Sequence, residues 1–435
     1  MEDRKLVYSI LFDCFENKAF SNLAFGDKNA DDFVRAAVYG TLTYVFSEDY
    51  MIKSVSGREV SSLDPEVRTI LRFGVWQILF SEKVPDYAAV NTSVELASAF
   101  APRAKSLINA VLRKVCDLTP EQRDLSSSKS VEAAYSLKPE IYGILKKSYG
   151  AERAPSIARA LLAPSPLAIR VNTLKTDKKT LALKLEAEGF GISDASFIDD
   201  ALILKPTSSS PSIEKSKAFI DGKFMVQGEA AQLASLVASP AKGMKILDCC
   251  AAPGGKSTHM AALASDEADI LALDINASRI ELIKQNASRL GVKGIRTGEA
   301  DSSVFDDEDG FDLVLCDAPC SGLGIMGGKP DIRLTISYER IVEITAKQKQ
   351  ILDNISKLVK PGGVLVYSTC TVNKGENEDQ VTAFLESHPD FEPDPFDNIL
   401  PDRLKSSHVN GTLTMLPDED GCEGFFISRL RRKNG

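Results

Sequence analysis

Lys245-Ile-Leu-Asp-Cys-Cys-Ala-Ala-Pro-Gly-Gly-Lys-Ser257 joins a short apolar run to a glycine turn and then to a helix-forming segment. A strand that leaves through two alanines and two glycines lets backbone approach a ligand closely, and the amides opening the next helix face the same place. Further strands are expected at 270–274, 311–316 and 363–369, with helices at 278–290 and 338–358 between them. Alternation of this kind predicts a doubly wound, mostly parallel α/β sheet over 218–435, with ligands beyond the carboxyl ends of its strands.

Upstream the pattern changes. From Lys5 to about Asp117 apolar residues recur at helical spacing; Ile108, Val111, Leu112 and Val115 share one face, and Val90, Val94 and Ala97 another. Residues 1–125 therefore read as an all-α domain, followed by a Ser-rich connector at 125–130. Residues 126–217 read as a small α+β linking module, with a helix near 141–162 closed by Pro164 and Pro166, and a strand at 167–172.

At 435 residues, 43% hydrophobic and 26% charged, the chain is multidomain and globular, and no apolar run approaches a membrane span. We expect a cytoplasmic monomer with no membrane partner. Its eight cysteines are scattered, and His259, His388 and His408 are not grouped with them, so free thiols and no metal are expected. A net charge of −9 argues against nonspecific coating of nucleic acid but permits local basic surfaces. Candidates are the tail at 428–433 and the group Arg103, Lys105, Arg113 and Lys114.

The glycine turn narrows the cofactor. Gly255-Lys256-Ser257 matches the end of a P-loop, but Cys250 replaces its first glycine, and the dinucleotide fingerprint is absent. Asp274, about twenty residues on, ends the next strand where a carboxylate can accept both hydroxyls of a ribose. An adenosine ligand without a phosphate loop points to S-adenosylmethionine. Lys256 opposes the helix dipole at a helix start, which suggests a functional contact.

Two thiols end two strands, Cys320 in Asp317-Ala-Pro-Cys-Ser-Gly322 and Cys370 in Tyr367-Ser-Thr-Cys370. Amino-group methyltransferases carry an aromatic residue in the slot of Cys320, so a thiol there points to carbon methylation. Together with 248–256, these motifs resemble the RNA cytosine carbon-5 methyltransferases of the NOL1/NOP2/Sun family. The stretches 71–77, 84–91 and 108–113 resemble the NusB-like domain of its bacterial Sun branch, which methylates small-subunit ribosomal RNA. The resemblance implies a NusB-like helical domain, the linking module and a Rossmann-like class I methyltransferase domain. It also implies that Cys250, Ala251, Ala252, Pro253, Gly254, Gly255 and Lys256 line S-adenosylmethionine, that Asp274 holds its ribose and that Asp317 lies beside the reacting groups. Near the adenine the sequence offers both Glu299 and Asp301, of which Asp301 is preferred.

Carbon 5 of cytosine is too weak a nucleophile unless a thiolate adds to carbon 6, which is covalent catalysis. The chemistry alone does not choose between the thiols; the RNA family implies attack by Cys370 and product release aided by Cys320. The competing reading from another class is a noncatalytic RNA-binding assembly or antitermination factor. A nucleotide-driven enzyme is disfavoured by Cys250.

Overall fold

The computed structural model describes residues 1–19, 21–25 and 32–434, without the side chains of Asn22 and Leu23. The chain forms two compact units, Met1–Pro164 with Met326–Tyr338, and Ser165–Ile325 with Glu339–Gly435.

The first unit is helical. Glu2–Glu16, Asp32–Thr43, Val45–Ser56, Pro65–Leu79, Asp86–Phe100 and Lys105–Cys116 bury one face each around Leu11, Val38, Ile52, Leu71 and Leu112. Ile108, Val111, Leu112 and Val115 are all buried, as their spacing predicts. The Ser-rich stretch is more than a connector: Leu125 joins this core, and the Ser130 side chain caps the helix Val131–Tyr135. The helix Pro139–Ala160 follows, broken at Gly150, whose φ is 81°. Met326–Tyr338 reaches this unit from far along the chain. Arg333 within it is buried, and its guanidinium donates to the carbonyls of Ser136 at 2.9 Å and Leu161 at 2.6 Å.

The second unit holds two sheets. β1 (Ala168–Val171), β2 (Gly191–Asp194), β3 (Ala201–Lys205) and β4 (Phe224–Val226) form an antiparallel sheet in the order β2-β3-β1-β4. Leu181 and Leu185 of the helix Lys178–Ala187 pack against its Ile169, Val171 and Leu202.

The larger sheet contains β5 (Lys245–Asp248), β6 (Asp269–Asp274), β7 (Ile295–Glu299), β8 (Phe311–Asp317) and β9 (Val359–Thr369). These five are parallel in the order β9-β8-β5-β6-β7. Chain order therefore reverses between β5 and β8, opening a crevice at their carboxyl ends. The remaining strands are β10 (Phe391–Pro393), β11 (His408–Val409), β12 (Thr412–Met415) and β13 (Phe425–Arg432). β13 runs antiparallel to β9 on one side and β12 on the other.

That placement corrects one expectation. The basic tail is no free patch: Ser428 to Arg432 lie within β13, Arg429 and Arg431 both pair with Asp394, and Arg432 pairs with Asp390. Arg103, Lys105, Arg113 and Lys114 are exposed. No described helix is long and apolar enough to cross a membrane, and the described residues contain no group of three that could hold a metal ion.

Candidate active site

β5 ends at Asp248, and the turn at 249–254 leads to the helix Gly255–Leu263. Gly254 has a φ of +94°, and a Cβ there would lie 3.2 Å from Ile283, so only glycine makes this approach without strain. Hydrogen bonds pin the turn to the strands beneath it: Cys249 N–H donates to Leu315 O at 3.0 Å, and Ala251 N–H to Leu273 O at 2.8 Å. From β1, buried Arg170 donates to Gly255 O, to Gln227 Oε1 at 2.6 Å and to Thr258 Oγ1 at 3.0 Å. The small antiparallel sheet thereby fixes the start of the helix.

Asp248 is buried under the turn. One carboxylate oxygen accepts from Ser257 Oγ at 2.6 Å and the other has no partner among the described residues. Burial, against the opposing bond from Ser257, pushes its carboxyl up to about 7.

Asp274, at the end of β6, is 4% exposed. It accepts from Asn276 N–H at 3.1 Å and lies 3.3 Å from the Arg279 guanidinium. Of the two acidic candidates at and just beyond the end of the next strand, Asp301 is engaged by Lys347 Nζ at 2.9 Å and by Ser303 N–H at 2.9 Å. Burial acts to raise its carboxyl, but those partners hold it below the ordinary value. Glu299 is exposed at the end of β7, in register with Asp274.

The four expected reacting side chains come together where β8 and β9 end. Lys256 Nζ donates to Asp317 Oδ2 at 2.6 Å, and Ser368 Oγ to Asp317 Oδ1 at 2.9 Å. Burial acts to lower the Lys256 ammonium, but Asp317, with Asp248 and Cys370, holds it above the ordinary lysine value. The Lys256 ammonium also lies 5.3 Å from the Phe425 ring centroid. Cys320 Sγ and Cys370 Sγ are 3.4 Å apart. The bond to Cys370, then burial, pushes the Cys320 thiol well above its ordinary range. Cys249 and Cys316 are buried among apolar side chains, consistent with packing roles. A separate cavity of about 320 Å³ at the opposite end of the sheet is lined by Lys360, Arg429 and Arg431, but those cations are paired with Asp312 and Asp394.

Comparison with known proteins accounts for each region. The profile of the 16S rRNA methyltransferase RsmB/F matches residues 235–431, that of the NusB family residues 1–117, and that of the RsmF/B-like ferredoxin-like domain residues 141–209. A probable ribosomal RNA small subunit methyltransferase B of Bacillus subtilis is 33% identical, covering 99% of this chain and 98% of its own. The chain belongs to the ribosomal RNA small subunit methyltransferase B family. The solved structure of PH0851 matches this family member with a TM-score of 0.82 at 26% identity, covering 98% of each chain. NSun6 from Pyrococcus horikoshii, solved with SFG, shares the fold with a TM-score of 0.62 at 23% identity, over 69% of this chain and all of its own. The three regions expected from the sequence, a NusB helical domain, a small linking domain and an α/β methyltransferase domain, are those of the family.

Proposed function

We propose that this chain transfers a methyl group from S-adenosylmethionine to carbon 5 of a cytosine in 16S ribosomal RNA, through a covalent bond between Cys370 and carbon 6. The observation that carries the reading is the pair of thiols 3.4 Å apart at the ends of adjacent parallel strands, beside the Lys256–Asp317 ion pair. A noncatalytic RNA-binding factor has no use for that arrangement.

The residues around the glycine turn fit the cofactor. The turn gives close backbone approach, and the first-turn amides of the helix have no acceptor within it. Asp274 presents carboxylate oxygens to a ribose. On the adenine side Asp301, held by Lys347 and Ser303 just beyond β7, is the preferred contact and Glu299 the alternative. S-adenosylmethionine, when bound, supplies an electrophilic sulfonium methyl.

The protein's own work is then as follows. Cys370 adds as a thiolate to carbon 6, with the Lys256 ammonium nearby. Asp317, oriented by Lys256 and Ser368, accepts from the amino group of the base, and the Lys256 ammonium beside it offsets the negative charge that enters the ring. Addition makes carbon 5 an enamine carbon, able to take the methyl. Loss of the carbon-5 proton to a base and of the Cys370 sulfur from carbon 6 restores the aromatic ring. Cys320, in contact with the departing sulfur, assists that release. The target base must leave its stack to reach thiols in a crevice, which favours a single-stranded loop.

Denaturing gels with RNA and S-adenosylmethionine test the roles. Cys370→Ala is expected to abolish both 5-methylcytosine and any denaturant-stable adduct. Cys320→Ala should methylate yet remain joined to RNA. An adduct trapped by Cys370→Ala and none by Cys320→Ala would transfer the attack to Cys320.

A further inference from the structure

Glu376 is fully buried six residues after Cys370, and its carboxylate joins both cysteine loops. Oε1 accepts from Ser321 N–H at 2.8 Å and from Gln348 Nε2 at 3.3 Å. Oε2 accepts from Ser321 Oγ at 2.6 Å and from Asn373 Nδ2 at 2.9 Å. Ser321 directly follows Cys320. Its hydroxyl also lies 2.7 Å from that of Thr371, which directly follows Cys370.

The opposite side of Cys320 is held too. Gln348 Nε2 donates to Pro319 O at 2.9 Å, so the backbone on both sides of this thiol is tied to one carboxylate, once directly and once through Gln348. Asn377, the next residue, brackets Cys370 in the same way. Its Oδ1 accepts from the Thr369 hydroxyl, and its Nδ2 donates to Thr371 O at 2.9 Å. Two consecutive residues therefore grip the flanks of both thiols.

A turn could be closed by a neutral side chain. Burying a carboxylate costs several kcal/mol unless donors surround it, and nearly all the donors here are residues next to a thiol or residues that hold such a neighbour. In the proposed chemistry one sulfur must reach carbon 6 while the other stays within reach without bonding. Displacements of about 1 Å in such an arrangement can cost about 100-fold in rate.

We infer that Glu376, with Asn377, is the positioning residue that sets the separation and approach of Cys370 and Cys320. This rests on the carbon-5 reading above. Glu376 touches no reacting atom; it acts through Ser321, Thr371 and Gln348.

Glu376→Gln keeps the shape but places an amide N–H against a donor in either orientation, Ser321 N–H and Gln348 on one side or Asn373 on the other. Expected are a lowered melting midpoint, because a buried donor now faces a donor, S-adenosylmethionine affinity within about twofold of wild type, and an unchanged KM for it, while kcat per folded molecule falls at least about tenfold. In a Cys320→Ala background the RNA adduct should accumulate correspondingly slowly. A lowered melting midpoint with kcat per folded molecule unchanged would reduce Glu376 to a structural residue and overturn the inference. Should Glu376→Gln fail to fold, Ser321→Ala carries the test: a reduced kcat at unchanged KM supports the inference, and wild-type kcat overturns it. Wild-type protein measured alongside separates the two readings. No 5-methylcytosine from wild type sinks the carbon-5 reading, whereas 5-methylcytosine at the wild-type rate from Glu376→Gln sinks only the positioning role.

Discussion

Asp248 shows how a single buried carboxyl couples this fold to pH. Its folded value of about 7 lies above the unfolded value of about 3.9, so between those limits the folded protein keeps a proton that the unfolded chain has released. The contribution to stability is therefore complete below about pH 4 and is lost as pH rises through about 7. Asp248→Asn removes the titration while retaining an acceptor for Ser257. Comparing wild type with this variant cancels the other groups, and the wild type should lose about 2 kcal/mol relative to it between about pH 5.5 and about pH 8. Thermal melts at the two pH values check this; a difference that stays constant or grows in favour of the wild type would remove the assignment. The same residue scale divides what the sequence disclosed from what it did not. Lys256 betrayed itself as a cation at the wrong end of a helix, and Asp317 beside it explains why. Glu376 gave no such sign, because its burial arises from loops about fifty residues apart that meet only in the fold.

At the scale of elements, the loop after β8 and the turn before β13 touch through two glycines. A Cβ on Gly324 would lie 2.1 Å from Gly424 O, while Gly424 N–H donates to Gly324 O at 2.9 Å and Gly324 N–H to Cys370 O at 3.1 Å. Gly324→Ala must part these segments, at an expected cost of about 1–3 kcal/mol, and should slow methylation beyond what its melting midpoint accounts for. Turnover per folded molecule, measured with the melt, decides the matter; normal turnover would mean that the thiols tolerate the displacement. The parallel strands were legible because β5, β6, β8 and the last seven residues of β9 are short apolar runs ending in polar or small residues. β13 was not. Its Arg429, Arg431 and Arg432 read as a charged surface, and only the distant Asp390 and Asp394 make a paired strand of it.

At the scale of the molecule, no periodicity marks Met326–Tyr338 as belonging with Met1–Pro164. Its attachment is polar as well as apolar: Ser21 Oγ donates to Asp331 at 2.5 Å, Lys138 Nζ to Ile336 O at 2.6 Å, and Leu334 packs on the helical core. Arg333→Ala strips a donor from the Ser136 and Leu161 carbonyls, at about 1–3 kcal/mol for each left unsatisfied. Amide hydrogen exchange should then accelerate in Val131–Tyr135 and Pro139–Ala160, while β5, β8 and β9 keep their protection; uniform acceleration across both units would show that they unfold as one. The interleaving also bears on how the chain is made. A ribosome delivers residue 164 about 160 residues before it delivers the segment at 326–338, a delay of roughly 8–30 s at the usual pace of synthesis. Until then the newborn helical unit stands with the carbonyls of Ser136 and Leu161 uncovered and the seat of Leu334 empty. The part of the chain that emerges first is thus not the first that can be finished, and a chaperone that shelters a nascent chain has that interval in which to act.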